Sequence, residues 1–145
     1  MDRENLLFLK SQINERITSF GNRAAYYRKR SCVTYFSISI LSAISAIILG
    51  LNLNTFWFEN TARIIALIIA SSISVISAYE VFFDNKQMWL VNNKTLMKLY
   101  KLSFDIEFAE KSNMPINEDM IENFRQEYQE ILDETNKMWV SSRSK

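Results

Sequence analysis

Apolar residues are not spread evenly along this chain. From Ser31 to Asn60 the only charged residue is Glu59. Inside that stretch, Thr34–Leu53 is long enough as a helix to cover about 30 Å, the thickness of a bilayer's hydrocarbon core. A second uncharged run starts at Ile64, just after Arg63, and ends at Phe83, just before Asp84. Its one acid, Glu80, lies close to the C-terminal end. The pattern predicts two transmembrane helices, over 31–53 and 64–84, joined by a short loop over 54–63. About thirty mostly polar residues precede the first run, which argues against a secretory signal.

The flanks have a different period. Leu6, Leu9, Ile13, Ile17, Phe20, Ala24 and Tyr27 recur at spacings of three and four. They predict an amphipathic helix over 1–30, capped at Asp2, with a bend at Gly21. Beyond the second run, Asn85 to about Glu110 is expected to continue as helix. Phe83, Leu90, Met97 and Phe104 recur every seven residues there, with Phe82, Trp89 and Leu96 beside them. That spacing suits packing on a partner in coiled-coil fashion. Residues 111–117 contain the only proline, Pro115, and break the pattern. A last helix is expected from Asn117, with Glu118 and Asp119 in its first turn. Its apolar stripe is Ile121, Phe124, Tyr128, Ile131, Thr135 and Met138. The tail, 141–145, should fray. The expected fold is an all-α membrane protein: one domain, a two-helix transmembrane hairpin, and N- and C-terminal cytoplasmic helices, with 85–145 the C-terminal helical region.

Composition narrows the chemistry. The chain has 145 residues, a net charge of +1, no histidine, one cysteine and two glycines. There is no internal disulfide, no imidazole base or ligand, and no glycine-rich phosphate loop. The balanced charge gives no reason to expect direct nucleic-acid binding. No catalytic residue, cofactor or metal site is expected. Glu118, Asp119, Glu122 and Glu127 read as a solvated helix face.

Charge placement sets an orientation. Residues 1–30 hold seven Lys/Arg, and Lys86, Lys94, Lys98 and Lys101 follow the second run. The connecting segment holds only Arg63. By the positive-inside tendency both termini are cytoplasmic and the loop is external. Phe56, Trp57 and Phe58 would form an outer aromatic belt, with Tyr35, Phe36, Tyr79, Phe82 and Phe83 an inner one. Arg28, Lys29 and Arg30 read as the positive anchor, with anionic lipid or a phosphate as other ligands.

Two sets of small residues are candidates for function. Ser42, Ala46 and Gly50 are spaced by four in the first run and suit close packing of transmembrane helices. In the second run, Arg63, Ala66, Ala70, Ser74, Ser77, Glu80 and Asp84 share about one third of the helix circumference. One reading is packing within the hairpin or against a neighbour. The other is the lining of a pore, with serines toward water and Ile64, Ile65, Ile68 and Ile69 toward lipid. Two spans cannot enclose a channel, so a pore requires a homo-oligomer, with Glu80 and Asp84 ringing its inner mouth.

The layout resembles the SLATT family, two-transmembrane proteins of prokaryotic conflict systems. The resemblance covers nearly the whole chain. It consists of a basic, aromatic helix meeting the membrane (Arg23 to Arg30), a tight hairpin, an aromatic helix leaving the second span (Tyr79-Glu80 to Trp89, then Leu96 to Tyr100), and a charged helix closing on Trp139. It implies a pore-forming effector of an anti-phage system in the bacterial inner membrane. It also implies a trigger from a partner, such as a nucleotide second-messenger synthetase or a sensor protein. No messenger-binding fingerprint is visible. A non-conducting membrane anchor that recruits a cytosolic partner is the alternative.

Overall fold

The computed structural model describes residues 2–50, 56–112 and 117–143. Nearly all of them are helical, with no strand among the described residues: α1 (Asp2–Gly50), α2 (Phe56–Phe83), α3 (Asn85–Lys111) and α4 (Glu118–Arg143). α1 is one uninterrupted helix of 49 residues. Gly21 produces no break in it; a side chain there would only brush Leu96 Cδ2 at 4.0 Å. The connection expected over 54–63 is helical from Phe56 onward, because nothing between Phe56 and Arg63 breaks a helix. The side chains of the outer-belt trio, Phe56, Trp57 and Phe58, lie outside the described residues, as do Pro115 and the last two residues of the tail.

α1 and α2 are each long and apolar enough to cross a membrane. The covering of their most apolar stretches is informative. None of the residues in that stretch of α1 is fully buried and 11% of those in α2 are, whereas the core helix of a soluble protein would be mostly buried. Val33, Phe36, Ile40, Ile47, Leu67, Ile68 and Val75 all face outward. Such a surface is stable against lipid and costly against water.

The described residues fall into two compact units: Met1–Tyr27 with Lys86–Lys145, and Arg28–Asn85. The first is a three-helix unit built from the N-terminal part of α1, α3 and α4. Its core holds Leu6, Leu9, Ile13 and Phe20 from α1, Leu99, Leu102 and Ile106 from α3, and Ile121, Tyr128 and Ile131 from α4. The stripes expected on α1 and α4 are therefore the core faces. Two contacts fix α1 antiparallel to α3: Lys10 Nζ meets Glu110 Oε2 at 2.6 Å, and Gly21 lies by Leu96. Between α3 and α4, Lys94 and Lys98 both reach Glu134. α4 starts at a proper cap, where Asn117 Oδ1 accepts the Met120 N–H at 3.0 Å.

The seven-residue series on α3 has a different fate. Leu90, Met97 and Phe104 are exposed, along with Tyr100 and Phe108. The face that α3 buries is Met88, Val91, Asn92, Thr95, Leu99, Leu102, Ile106 and Ala109. α3 carries apolar residues on two opposite faces, and the chain itself covers the one that is richer in aliphatic and small side chains.

α2 and α3 are separate helices, and α3 starts at Asn85 as expected. Asp84 separates them with φ 42°, in the left-handed region. Its N–H still closes the last turn of α2 on the Glu80 carbonyl at 2.8 Å. This is a left-handed C-cap, in which aspartate is among the few residues that substitute for glycine.

Candidate functional site

The unit Arg28–Asn85 contains every residue of the two candidate stripes. Its helices are each covered along one narrow seam. On α1 the seam is Ser31, Thr34, Ile38, Leu41, Ser45 and Ile48. On α2 it is Ala62, Ala66, Ile69, Ile73, Ile76, Ser77 and Glu80. The α1 series alternates spacings of three and four, and so does the α2 series through Ile76 and on to Glu80, with Ser77 beside it, the period of a left-handed helix pair. Ser31, Ala66 and Glu80 are the most buried members, at 7%, 3% and 8% exposure. Small side chains near one end of each seam let the covering group come close.

The expected lining stripe divides. Ala66, Ser77 and Glu80 turn to the covered side, whereas Arg63, Ala70, Ser74 and Asp84 face outward. Ser42, Ala46 and Gly50 are also outward. A methyl group at Gly50 would meet nothing within 4 Å. These small residues do not make the packing within the chain. The seam series on α1 is present in the sequence, but it mixes Ser and Thr with Ile and Leu. A search guided by side-chain size alone passes over it.

Hydroxyls on the outward face of α2 are satisfied within the helix. Ser71 donates to the Leu67 carbonyl and Ser72 to that of Ile68, both at 2.9 Å, and Ser74 donates to Ala70 at 3.2 Å. Back-bonding of this kind removes the need for an outside partner. On α1, Thr34 does the same with the Arg30 carbonyl.

Glu80 does not stand open as a member of a charged ring would. One carboxylate oxygen, Oε2, accepts a hydrogen bond from Asn85 Nδ2 at 2.9 Å, and the other, Oε1, is buried without one. Around it the end of α2 is aromatic. Tyr79 and Phe83 rings lie 4.4 Å apart, and Phe82 and Phe83 meet edge to face at 5.1 Å. All three are exposed, as are Tyr35 and Phe36 on α1, which suits the interfacial level expected of them. Arg28, Lys29 and Arg30 are exposed too.

Among the described residues no three His, Cys, Asp or Glu side chains are grouped so as to hold a metal ion. Glu118 and Asp119 are exposed. Glu122 forms a two-pronged pair with Arg125, at 2.6 and 2.7 Å, and accepts from Gln126. These bonds, the one from Arg125 first, hold its carboxyl down to about 2. A carboxylate so strongly ionised on an open helix face is a poor acid or base at neutral pH.

Scans against protein-family models, curated proteins and solved structures find no match to this chain.

Proposed function

We propose that the chain is a bacterial inner-membrane protein with two spans and cytoplasmic termini, and that copies assemble into a pore that permeabilises the membrane when a partner triggers it. The observation that carries this reading is a shared angular offset. Ser39, Ser42, Ala46 and Gly50 lie about 120° around α1 from its seam, and Ala70, Ser74 and Ala78 about 110° around α2 from its own, in the same rotational sense. Two antiparallel helices joined seam to seam would therefore present both small faces on one side. Their bulky residues, Phe36, Ile40 and Ile44 with Ile65, Ile68 and Val75, would fall together on the other. A hairpin of this kind has one face for lipid and one for close neighbours or water. Copies joined in a ring would turn the bulky faces outward and the small ones toward a lumen. The resemblance to the SLATT family supports the same reading, and it involves no catalysis.

The test is ion flux through liposomes carrying the purified protein, wild type beside Ser42→Leu/Ser74→Leu. Both side chains are exposed within the chain, so neither change disturbs the seam. Flux should fall steeply in the double variant and persist in Ile44→Ala/Ile68→Ala, on the opposite face. Flux that survives the leucines, with assembly intact, would remove the lining assignment.

A second reading is a non-conducting anchor for a cytosolic partner. It is favoured by the exposed series Leu90, Met97 and Phe104 on α3. Met97→Asp/Phe104→Asp would then abolish partner capture, and the wild type would conduct nothing even with its partner bound.

A further inference from the structure

The three-helix unit uses one face of α3 and leaves the other open. Leu99, Leu102 and Ile106 lie in its core. Leu90, Met97 and Phe104 lie about 180° away around the helix and are exposed, with Tyr100 exposed beside them. They are seven residues apart, with Asn93 and Tyr100 between, and so trace a seam the width of one helix. A helix that lies on a bilayer surface has a broader apolar face than this. Phe104 stacks on Phe108 with ring centroids 6.2 Å apart, and both rings stay open. Lysines flank the seam, so it meets water and not hydrocarbon.

The charge beside the seam has one sign. From Asn85 to Phe104 α3 carries four lysines and no acid. Lys94 and Lys101, seven residues apart, border the seam on one side and are exposed. Lys94 shares the single carboxylate of Glu134 with Lys98, and Lys101 has no ion pair among the described residues. A second copy of the seam would not answer these charges. In a parallel pair Lys94 and Lys101 would face Trp89 and Leu96 of the other helix, and in an antiparallel pair that keeps the seam in register they would face each other.

We propose that this face of α3 docks one amphipathic helix of an acidic partner protein. The apolar side of that helix covers Leu90, Met97 and Phe104, and its Asp or Glu residues meet Lys94 and Lys101. The seam supplies the contact area, and the lysines select the sign of the partner. The proposal rests on recruitment of a partner, which both readings of function share, and not on conduction.

The experiment is a binding titration on the full-length protein in nanodiscs of zwitterionic lipid, read by fluorescence anisotropy. The probes are two labelled synthetic helices of about four heptads with leucine on the apolar side, one flanked by glutamates and one by lysines. The acidic probe should bind at least about tenfold more tightly than the basic one. Lys94→Glu/Lys101→Glu should reverse that order, and Lys101→Glu alone, which breaks no ion pair, should already narrow it. Met97→Asp/Phe104→Asp should abolish binding of both probes; these side chains are exposed, so the core stays in place. No binding of the acidic probe, or equal affinity for both, would overturn the proposal. So would cross-linking between copies through Tyr100→Cys in a Cys32→Ser background, which would put a second copy on the face. Capture of anionic vesicles that Met97→Asp/Phe104→Asp loses would put a membrane there and would overturn it as well. Binding is read without ion flux, so a failed pore and a failed docking face are told apart.

Discussion

Thr95 and Thr135 bring their hydroxyls to 2.8 Å of each other between α3 and α4, with 0% and 4% of their surface exposed. Each hydroxyl also lies within hydrogen-bond distance of the carbonyl one turn back, Val91 at 3.0 Å and Ile131 at 2.7 Å. Three short contacts are thus served by two hydrogens, so one of the three is unmade at any moment. Replacing one threonine by valine removes a hydrogen and leaves its neighbour a single partner. Thr95→Val or Thr135→Val should each cost about 1–2 kcal/mol. The double variant should cost clearly less than their sum, because both single variants lose the same shared hydroxyl–hydroxyl contact. Thermal or denaturant unfolding of the four proteins in one detergent measures this coupling.

Glu134 lies on the same interface and accepts hydrogen bonds from Lys98 and then Lys94, which together hold its carboxyl below the ordinary carboxylate range. A folded value below the unfolded one stabilises the fold above the unfolded value, and this is lost as pH falls through the folded one. Wild type should therefore unfold at a higher temperature than Glu134→Gln at neutral pH. The gap should close in acid and shrink with added salt, since these groups are open to solvent. A gap that widened in acid would contradict this assignment.

Two apolar positions two residues apart lie on opposite faces of α3. Leu102 is fully buried and Phe104 is 65% exposed. Leu102→Ala should cost about 2–5 kcal/mol through lost burial and a residual cavity. Phe104→Ala should change the stability of a single chain by no more than about 0.5 kcal/mol. The opposite order would mean that the exposed series is the core.

At the start of α4, Asn117→Ala removes the cap on Met120 N–H. A loss of about 1 kcal/mol is expected, and faster amide exchange confined to the first turn of α4. Exchange that spread evenly over α4 would argue against a capping role.

Much of this fold is written in spacing. The series Leu6, Leu9, Ile13, Phe20 and Ala24 marks the buried face of α1, and Ile121, Tyr128, Ile131 and Thr135 mark that of α4. These helices have a single apolar side, so periodicity determines what they bury. α3 has two, and periodicity cannot choose between them. Leu90, Met97 and Phe104 make the neater repeat, yet Leu99, Leu102 and Ile106 make the core. The break at Asp84 was hidden for another reason. It uses neither glycine nor proline, and the Glu80–Asn85 hydrogen bond beside it joins residues that read separately as the last acid of an apolar run and a helix's first polar residue. In the spans, small side chains drew attention to Ser42, Ala46 and Gly50, whereas burial follows the mixed series from Ser31 to Ile48. Serine and isoleucine can share a seam because helix pairs need alternating bulk and clearance, not uniform smallness.

The serines of α2 bear on how such a chain enters a bilayer. Ser71, Ser72 and Ser74 each return their hydroxyl proton to a carbonyl of their own helix. A newly made α2 therefore brings no unanswered donor from these positions into oil. In the assembly proposed above, insertion of one copy could then precede any meeting with another. On that proposal recruitment would be a separate, later event, which a cell could time independently of synthesis.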